Sequence, residues 1–373
     1  MNILIMADYR TPNSGNFIAS LLELAERMRD RGEGVCFLFP ENKNGGGYSW
    51  TQWLEQVGFP VYLLDDKLEA DQEIDFIRQI VRKHHVDLIH THFGLCHRLL
   101  VTNAGKIGGV KILVHDHMGF APSGSCLKEW MRLAVWSMIY AKNDVGVAAV
   151  LEPKSKAYIF CGKHRRWYVP NGVSLRRNLQ KQQTAEEVRR AWGVQSDERV
   201  CLLLGWDMYR KGVDIAVKAV DMLNKAGKKV KLALVGLGAE PSENAKNWIR
   251  EHGAVDPDSD WLLYVPSTED IFSYHRAADV MLSASRAEGY PYALLEAISQ
   301  NTPIVTSTIE SVLFARVYNK CVYYDTESAA GCADAIEQAL ELPADSNWEA
   351  VMETFGVDRW CERMMKIYDK MLK

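Results

Sequence analysis

Glu288 and Glu296 bracket the stretch Glu-Gly-Tyr-Pro-Tyr-Ala-Leu-Leu-Glu, with seven residues between them. An ionised carboxylate only accepts hydrogen bonds, so this pair suits a hydroxyl-rich ligand such as a sugar or a ribose. The surrounding chain adds a place for an anion. Ala278-Asp-Val-Met-Leu-Ser283 is apolar enough for a buried parallel strand, while Ala293, Leu294, Leu295, Ala297 and Ile298 continue as a helix whose first turn suits Pro291. The turn between them joins a strand's C-terminal end to a helix N-terminus, where unpaired N–H groups and the helix dipole favour negative charge. Hydroxyl acceptors beside an anion site describe a nucleotide-sugar site.

Histidines form the second chemical group. Asp87-Leu-Ile-His90 runs on as Thr91-His92, and the strand Lys111-Ile-Leu-Val114 delivers His115-Asp116-His117. Both pairs fall at strand C-terminal ends, where open α/β sheets place ligands. Alternate residues of a strand share a face, so each pair brings two imidazoles toward one point. No third carboxylate or cysteine stands nearby at a familiar spacing, and no metal is expected. Asp256-Pro-Asp-Ser-Asp260 reads as a surface turn rather than a metal motif.

The elements that position these groups alternate between strand and helix patterns. Asn2 to Ala7 is a buried strand, Asp8 to Asn16 a polar loop carrying Gly15, and Phe17 to Arg31 a helix. This opening resembles a nucleotide-binding βαβ unit without G-x-G-x-x-G, so NAD is not supported, and Gly15 allows close backbone approach to a ligand. Glu198 to Leu204 restarts the same strand–loop–helix order. The 373 residues, 47% of them hydrophobic, suit two domains with their own cores. A net charge of −4 argues against a nucleic-acid binder. The eight cysteines show no C-x-x-C spacing and read as reduced thiols, and Met1-Asn-Ile-Leu-Ile-Met is a first strand rather than a signal peptide. No apolar run approaches the ~20 residues that span a bilayer, so a cytoplasmic protein, or one peripheral on a membrane's inner face, is expected. Leu127 to Lys142 is a strong helix, apolar nearly all round after Trp130 and therefore read as buried, with a membrane-surface helix as the alternative.

With Gly289 after the first Glu, Leu-Leu-Glu-Ala at the second and Thr302-Pro-Ile-Val-Thr306 behind, the Glu288-x7-Glu296 stretch resembles the retaining glycosyltransferases of family 4, of the bacterial polysaccharide and glycolipid type. The resemblance is sharp over 199–307, loose over 1–170, and implies the GT-B fold: two Rossmann-like parallel-sheet domains facing each other across a cleft. Val169-Pro-Asn-Gly-Val173 is similar to the family's hinge, which implies domains 1–172, completed by a C-terminal helix near 357–373, and 173–356.

The implied activity is metal-independent transfer of a sugar, of hexosyltransferase type, from a nucleoside-diphosphate sugar to an acceptor hydroxyl with retention. The implied setting is surface polysaccharide or glycolipid assembly. No cofactor is implied beyond the donor, taken as UDP-linked; the partners are that donor and a glycan or lipid-linked acceptor. His117 first, and His115 second, resemble the histidine that contacts the donor sugar. Glu288 would hold sugar hydroxyls and Glu296 the ribose. Gly15, Arg210, Lys211, Gly236, Val265, Gly289 and Tyr290 complete the implied donor contacts. Lys211-Gly212 matches the family's G-R-x4-K-G loop, whose Arg and Lys neutralise the diphosphate, but Trp206 stands at the Arg position and Arg210 is the candidate replacement. The alternatives are a nucleotide-sugar epimerase of the same fold and a catalytically inactive GT-B protein that binds nucleotide sugar or glycan.

Overall fold

The structure, a computed structural model, describes residues 1–95, 97–103, 107–118, 126–176 and 182–373. Its contacts divide the chain into two units, Met1–Asn178 with Gly356–Lys373, and Leu179–Phe355.

The first unit is built on strands β1 (Asn2–Ala7), β2 (Gly34–Pro40), β3 (Val61–Leu64), β4 (Leu88–His92), β5 (Lys111–Asp116), β6 (Gly146–Ala149) and β7 (Arg166–Tyr168). They are parallel, in the order β3-β2-β1-β4-β5-β6-β7. The order reverses between β1 and β4, so their C-terminal ends flank a topological switch point. Strands buried on both faces explain the near-continuous apolar runs. Leu4, Met6, Ile89, Val114 and Val147 belong to one core cluster.

The helix Gly15–Asp30 starts two residues before the expected point, at a glycine with φ +56°. The last helix, Val357–Met371, packs in this unit: a Cβ on Gly172 would lie 2.4 Å from Trp360 Cβ, so only glycine admits the indole. Residues after 172 also stay here. Val173 pairs with Gly356, the Ser174 amide donates to Asn16 Oδ1 at 2.7 Å, and Arg176 bonds Glu26, which carries the first unit a few residues past the expected boundary.

The helix Cys126–Lys142 departs from its expected burial. Leu133 and Tyr140 are buried, but Met131 and Val135 are 61% and 51% exposed, with Trp130 and Met138 on the surface too. An all-round apolar pattern does not distinguish an enclosed helix from one with an uncovered apolar face.

The second unit repeats the plan with β8 (Arg199–Leu204), β9 (Val230–Val235), β10 (Leu262–Val265), β11 (Val280–Ser283), β12 (Ile304–Ser307) and β13 (Cys321–Tyr324), in the order β10-β9-β8-β11-β12-β13. Its strands are parallel too. Here the switch point lies between β8 and β11, whose following loops carry Trp206–Gly212 and Ser285–Pro291. This is the GT-B arrangement of two Rossmann-like units.

Candidate functional site

In the second unit, the loops after β8 and β11 meet through a glycine. Gly212 has φ +65° and begins the helix Val213–Lys225; a Cβ there would stand 2.0 Å from the Ala284 carbonyl oxygen. That contact sets Lys211 against the second loop. Lys211 Nζ donates to Glu288 Oε1 at 2.5 Å, and Ser285 Oγ donates to the same oxygen at 2.7 Å. Arg210 Nη1 reaches Glu288 Oε2 at 3.3 Å, while its Nε is held by Asp207 Oδ2 at 3.0 Å. The Glu288 and Lys211 side chains are 8% and 14% exposed. Two cations thus converge on one nearly buried carboxylate, close to the N-termini of the helices Val213–Lys225 and Tyr292–Ser299.

Trp206 takes a supporting place beside them. Trp206 is 64% exposed, and the Arg210 guanidinium carbon lies 4.9 Å from its ring centroid. The tryptophan in place of the expected arginine therefore steadies Arg210 by a cation–π contact. Gly236, at φ +111°, permits this: its Cβ would fall 3.0 Å from Trp206 Cβ.

Other expected residues sit differently. Glu296 is buried on the helix Tyr292–Ser299, its Oε2 4.0 Å from His275 Nε2. The Tyr290 ring is buried and stacked on Phe314 at 4.2 Å between centroids, so only its backbone is available to a ligand. Val265 is likewise buried, and its carbonyl accepts the Gly236 amide at 3.3 Å. Gly289 lies in the turn between Glu288 and that helix.

Arg286 was not singled out by sequence reasoning. It donates to both oxygens of Asp214 at 2.9 Å, to both of Glu327 at 2.7 Å, and to the Tyr209 carbonyl at 2.6 Å. Its amide also bonds the Arg210 carbonyl at 2.8 Å. The Asp214 hydrogen bond holds its pKa above the ordinary arginine range. Arg286 locks the two loops together.

In the first unit, β4 and β5 pair with His92 opposite His115. That register merges the two H-x-H pairs into one cluster. His90 Nε2 lies 3.2 Å from His115 Nδ1, and His92 Nδ1 lies 2.8 Å from His117 Nε2. His90, His92 and His115 are buried, and His117 is half-buried under Phe93, whose ring stacks on it at 4.5 Å. Burial pushes all four pKa values down, His115 to about 4 and the others well below the ordinary imidazole value. Neighbouring imidazoles add to the effect on His90, His92 and His117, whereas Asp116 and the Val169 backbone oppose it at His115. The cluster is therefore uncharged at neutral pH. The loop after β5 is pinned by a second unexpected feature, the buried Lys154. Its Nζ donates to Asp116 Oδ1 at 3.2 Å and to the Met118 carbonyl at 2.9 Å, while Tyr158 Oη donates to Asp116 Oδ2 at 2.7 Å.

Residues 184–350 match the family described as "Glycosyl transferases group 1". That match spans nearly the whole of the second unit. Among similar proteins, alpha-monoglucosyldiacylglycerol synthase of Streptococcus pneumoniae is 22% identical over 95% of this chain and 81% of its own length. The putative teichuronic acid biosynthesis glycosyltransferase TuaC of Bacillus subtilis is 24% identical over 77% of this chain and 71% of its own. Among solved structures, Anabaena HepE in complex with UDP-glucose superposes with a TM-score of 0.77 at 18% identity, covering 99% of both chains. Sucrose-phosphate synthase from Thermosynechococcus elongatus reaches 0.72 at 18%, over 100% of this chain and 99% of its own.

Proposed function

We propose that this chain transfers a hexose from a nucleoside-diphosphate sugar, UDP-linked, to an acceptor hydroxyl with retention, in surface polysaccharide or glycolipid assembly. The observation that carries the reading is the Lys211–Glu288–Arg210 cluster at the switch point of the second unit. The reaction's difficulty is departure of a diphosphate from the anomeric carbon, and cations beside helix N-termini stabilise that growing charge. Glu288 holds those cations until the donor arrives. Lys211 and Arg210 then turn to the phosphates, which frees the Glu288 oxygens for sugar hydroxyls. Glu296 holds the ribose. His117, the more accessible histidine, is the first candidate to orient the sugar and His115 the second. No side chain of the Lys211–Glu288 cluster is placed as a nucleophile, consistent with the front-face attack that the family resemblance implies. The UDP-glucose bound by HepE supports the choice of donor.

The acceptor is proposed to be lipid-linked. Met131, Val135, Met138 and Trp130 present apolar surface on the helix Cys126–Lys142, and Ile159 and Phe160 are 57% and 50% exposed on the same unit. Among the described residues, no helix is long and apolar enough to cross a membrane. Contact would therefore be peripheral.

A thermal-shift panel of nucleoside diphosphates and their sugars, in EDTA, tests the donor reading. A ligand that binds only the folded state raises the melting temperature. The expected result is stabilisation by UDP and one UDP-sugar, lost in Lys211→Ala and Glu296→Ala, with sugar transfer to lipid extracts by the wild type. A flat panel refutes the reading. Binding without transfer selects the inactive alternative, and conversion of the donor without an acceptor selects the epimerase.

A further inference from the structure

The grounds on which the sequence sets a metal aside do not survive the fold. Each H-x-H pair alone lacks a third ligand, but the β4–β5 register supplies one from the neighbouring strand. One nitrogen from each of His90, His92 and His115 lies within 4.8 Å of the other two. We propose that these three imidazoles bind a divalent transition-metal ion of the zinc class.

The geometry is close to what such an ion requires. Zinc–imidazole bonds of ~2.0–2.1 Å in a tetrahedral site place neighbouring nitrogens ~3.3 Å apart. His90 Nε2 and His115 Nδ1 are already 3.2 Å apart. A His92 nitrogen lies within 4.8 Å of both and has to approach them to close the triangle. Its Nδ1 faces His117, and its Nε2 is buried with no hydrogen-bond partner. A buried unsatisfied nitrogen is costly, and an ion satisfies it.

A tyrosine orients one of the three rings. Tyr368 Oη lies 2.7 Å from His90 Nδ1, which fixes that ring and leaves Nε2 as the ligating atom. The donor set selects the ion: imidazole suits zinc, copper and nickel, whereas magnesium and calcium take oxygen ligands. Asp116, the nearest carboxylate in sequence, is already engaged by Lys154 and Tyr158. A cavity of about 280 Å³ beside the cluster is lined by Phe93, Gly94, His115 and His117.

The test uses the full-length chain stripped with a chelator and then titrated with ZnCl2, read by equilibrium dialysis and elemental analysis. One zinc per chain is expected, together with a rise in melting temperature that MgCl2 does not give. His92→Gln and His115→Gln each weaken binding at least ~10-fold, and Tyr368→Phe weakens it ~10- to 100-fold, as losses of an outer-shell partner do. No binding, or binding unchanged in His92→Gln and His115→Gln, overturns the proposal. X-ray absorption on the zinc-loaded wild type decides the matter even if the variants fail to fold. At least three imidazole nitrogens support the site, since among the described residues His90, His92 and His115 are the group that converges. A sulfur shell at ~2.3 Å, or an all-oxygen shell, overturns it.

Discussion

Lys211→Met tests whether Glu288 is held as a charge-matched buried carboxylate. Removing one partner of a buried ion pair costs ~3–5 kcal/mol, mostly for the charge left unpaired. Here Ser285 Oγ at 2.7 Å and Arg210 Nη1 at 3.3 Å still reach Glu288, and Lys211 keeps some access to water. The expected loss is therefore smaller, about 2–3 kcal/mol, which for a unit of this size lowers the melting temperature by roughly 4–12 °C. Glu288→Gln retains the Ser285 contact and leaves Arg210 its bond to Asp207, so about 1–2 kcal/mol is expected. The double variant Lys211→Met/Glu288→Gln removes both charges, and its cost falls short of the sum of the single costs by ~1–3 kcal/mol. Urea unfolding of the four proteins, followed by the exposure of tryptophan in the second unit, measures the cycle. Costs that add to within ~0.5 kcal/mol would show two independently solvated charges and refute the reasoning.

Glu288→Gln also releases Lys211 and Arg210 for phosphate: calorimetry should show UDP bound at least as tightly as by wild type while transfer collapses, and weaker UDP binding contradicts the idea that Glu288 competes with the diphosphate. Gly212→Ala forces a Cβ to within 2.0 Å of the Ala284 oxygen at φ +65°, so a loss of at least ~3 kcal/mol or failure to fold is expected, and near-wild-type melting would show that the loops part easily. The histidine cluster makes the metal-stripped first unit acid-sensitive. Its folded pKa values lie below the unfolded value of ~6.5, so the unfolded state binds more protons. Stability is complete above that pH and is lost as the pH falls, by up to ~1.4 kcal/mol per pH unit for each histidine; unfolding curves unchanged between about pH 7.5 and 5 would contradict this. Burial raises Cys36, Cys332 and Cys361 to about 12, and mapped alkylation at pH 8 should leave them unmodified until urea is added; rapid native labelling contradicts their burial.

What the sequence made legible is local. Strand runs, helix periodicity and the Glu288–Glu296 spacing located the second unit's switch-point loop, because neighbours along the chain build it. The pairing of Lys211 with Glu288 spans 77 positions and depends on which strands adjoin at the switch point, which periodicity does not disclose. Arg286 reads as an ordinary polar residue until Asp214 and Glu327 are brought to it. Lys154 looks like a solvated lysine of a short helix, yet it is buried against Asp116. The histidine pairs read as two features and become one through register alone. For Cys126–Lys142 the pattern fixed the helix but not its surroundings, since what covers an apolar face is a property of its neighbours.

The closing helix carries a consequence for the chain's synthesis. Residues from Gly356 onward supply Trp360 to the space above Gly172, Tyr368 to His90 and Met371 to the neighbourhood of Gly146. On the ribosome, all of Leu179–Phe355 is synthesised before these residues exist. The first unit therefore lacks its last wall until the whole of the second has been made, so it cannot mature ahead of it as an N-terminal domain usually does. Until Gly356–Lys373 is available, the first sheet must persist as an unfinished half with apolar surface waiting for a partner. A nascent chain stalled before Gly356 is thus the form of this protein most in need of a chaperone.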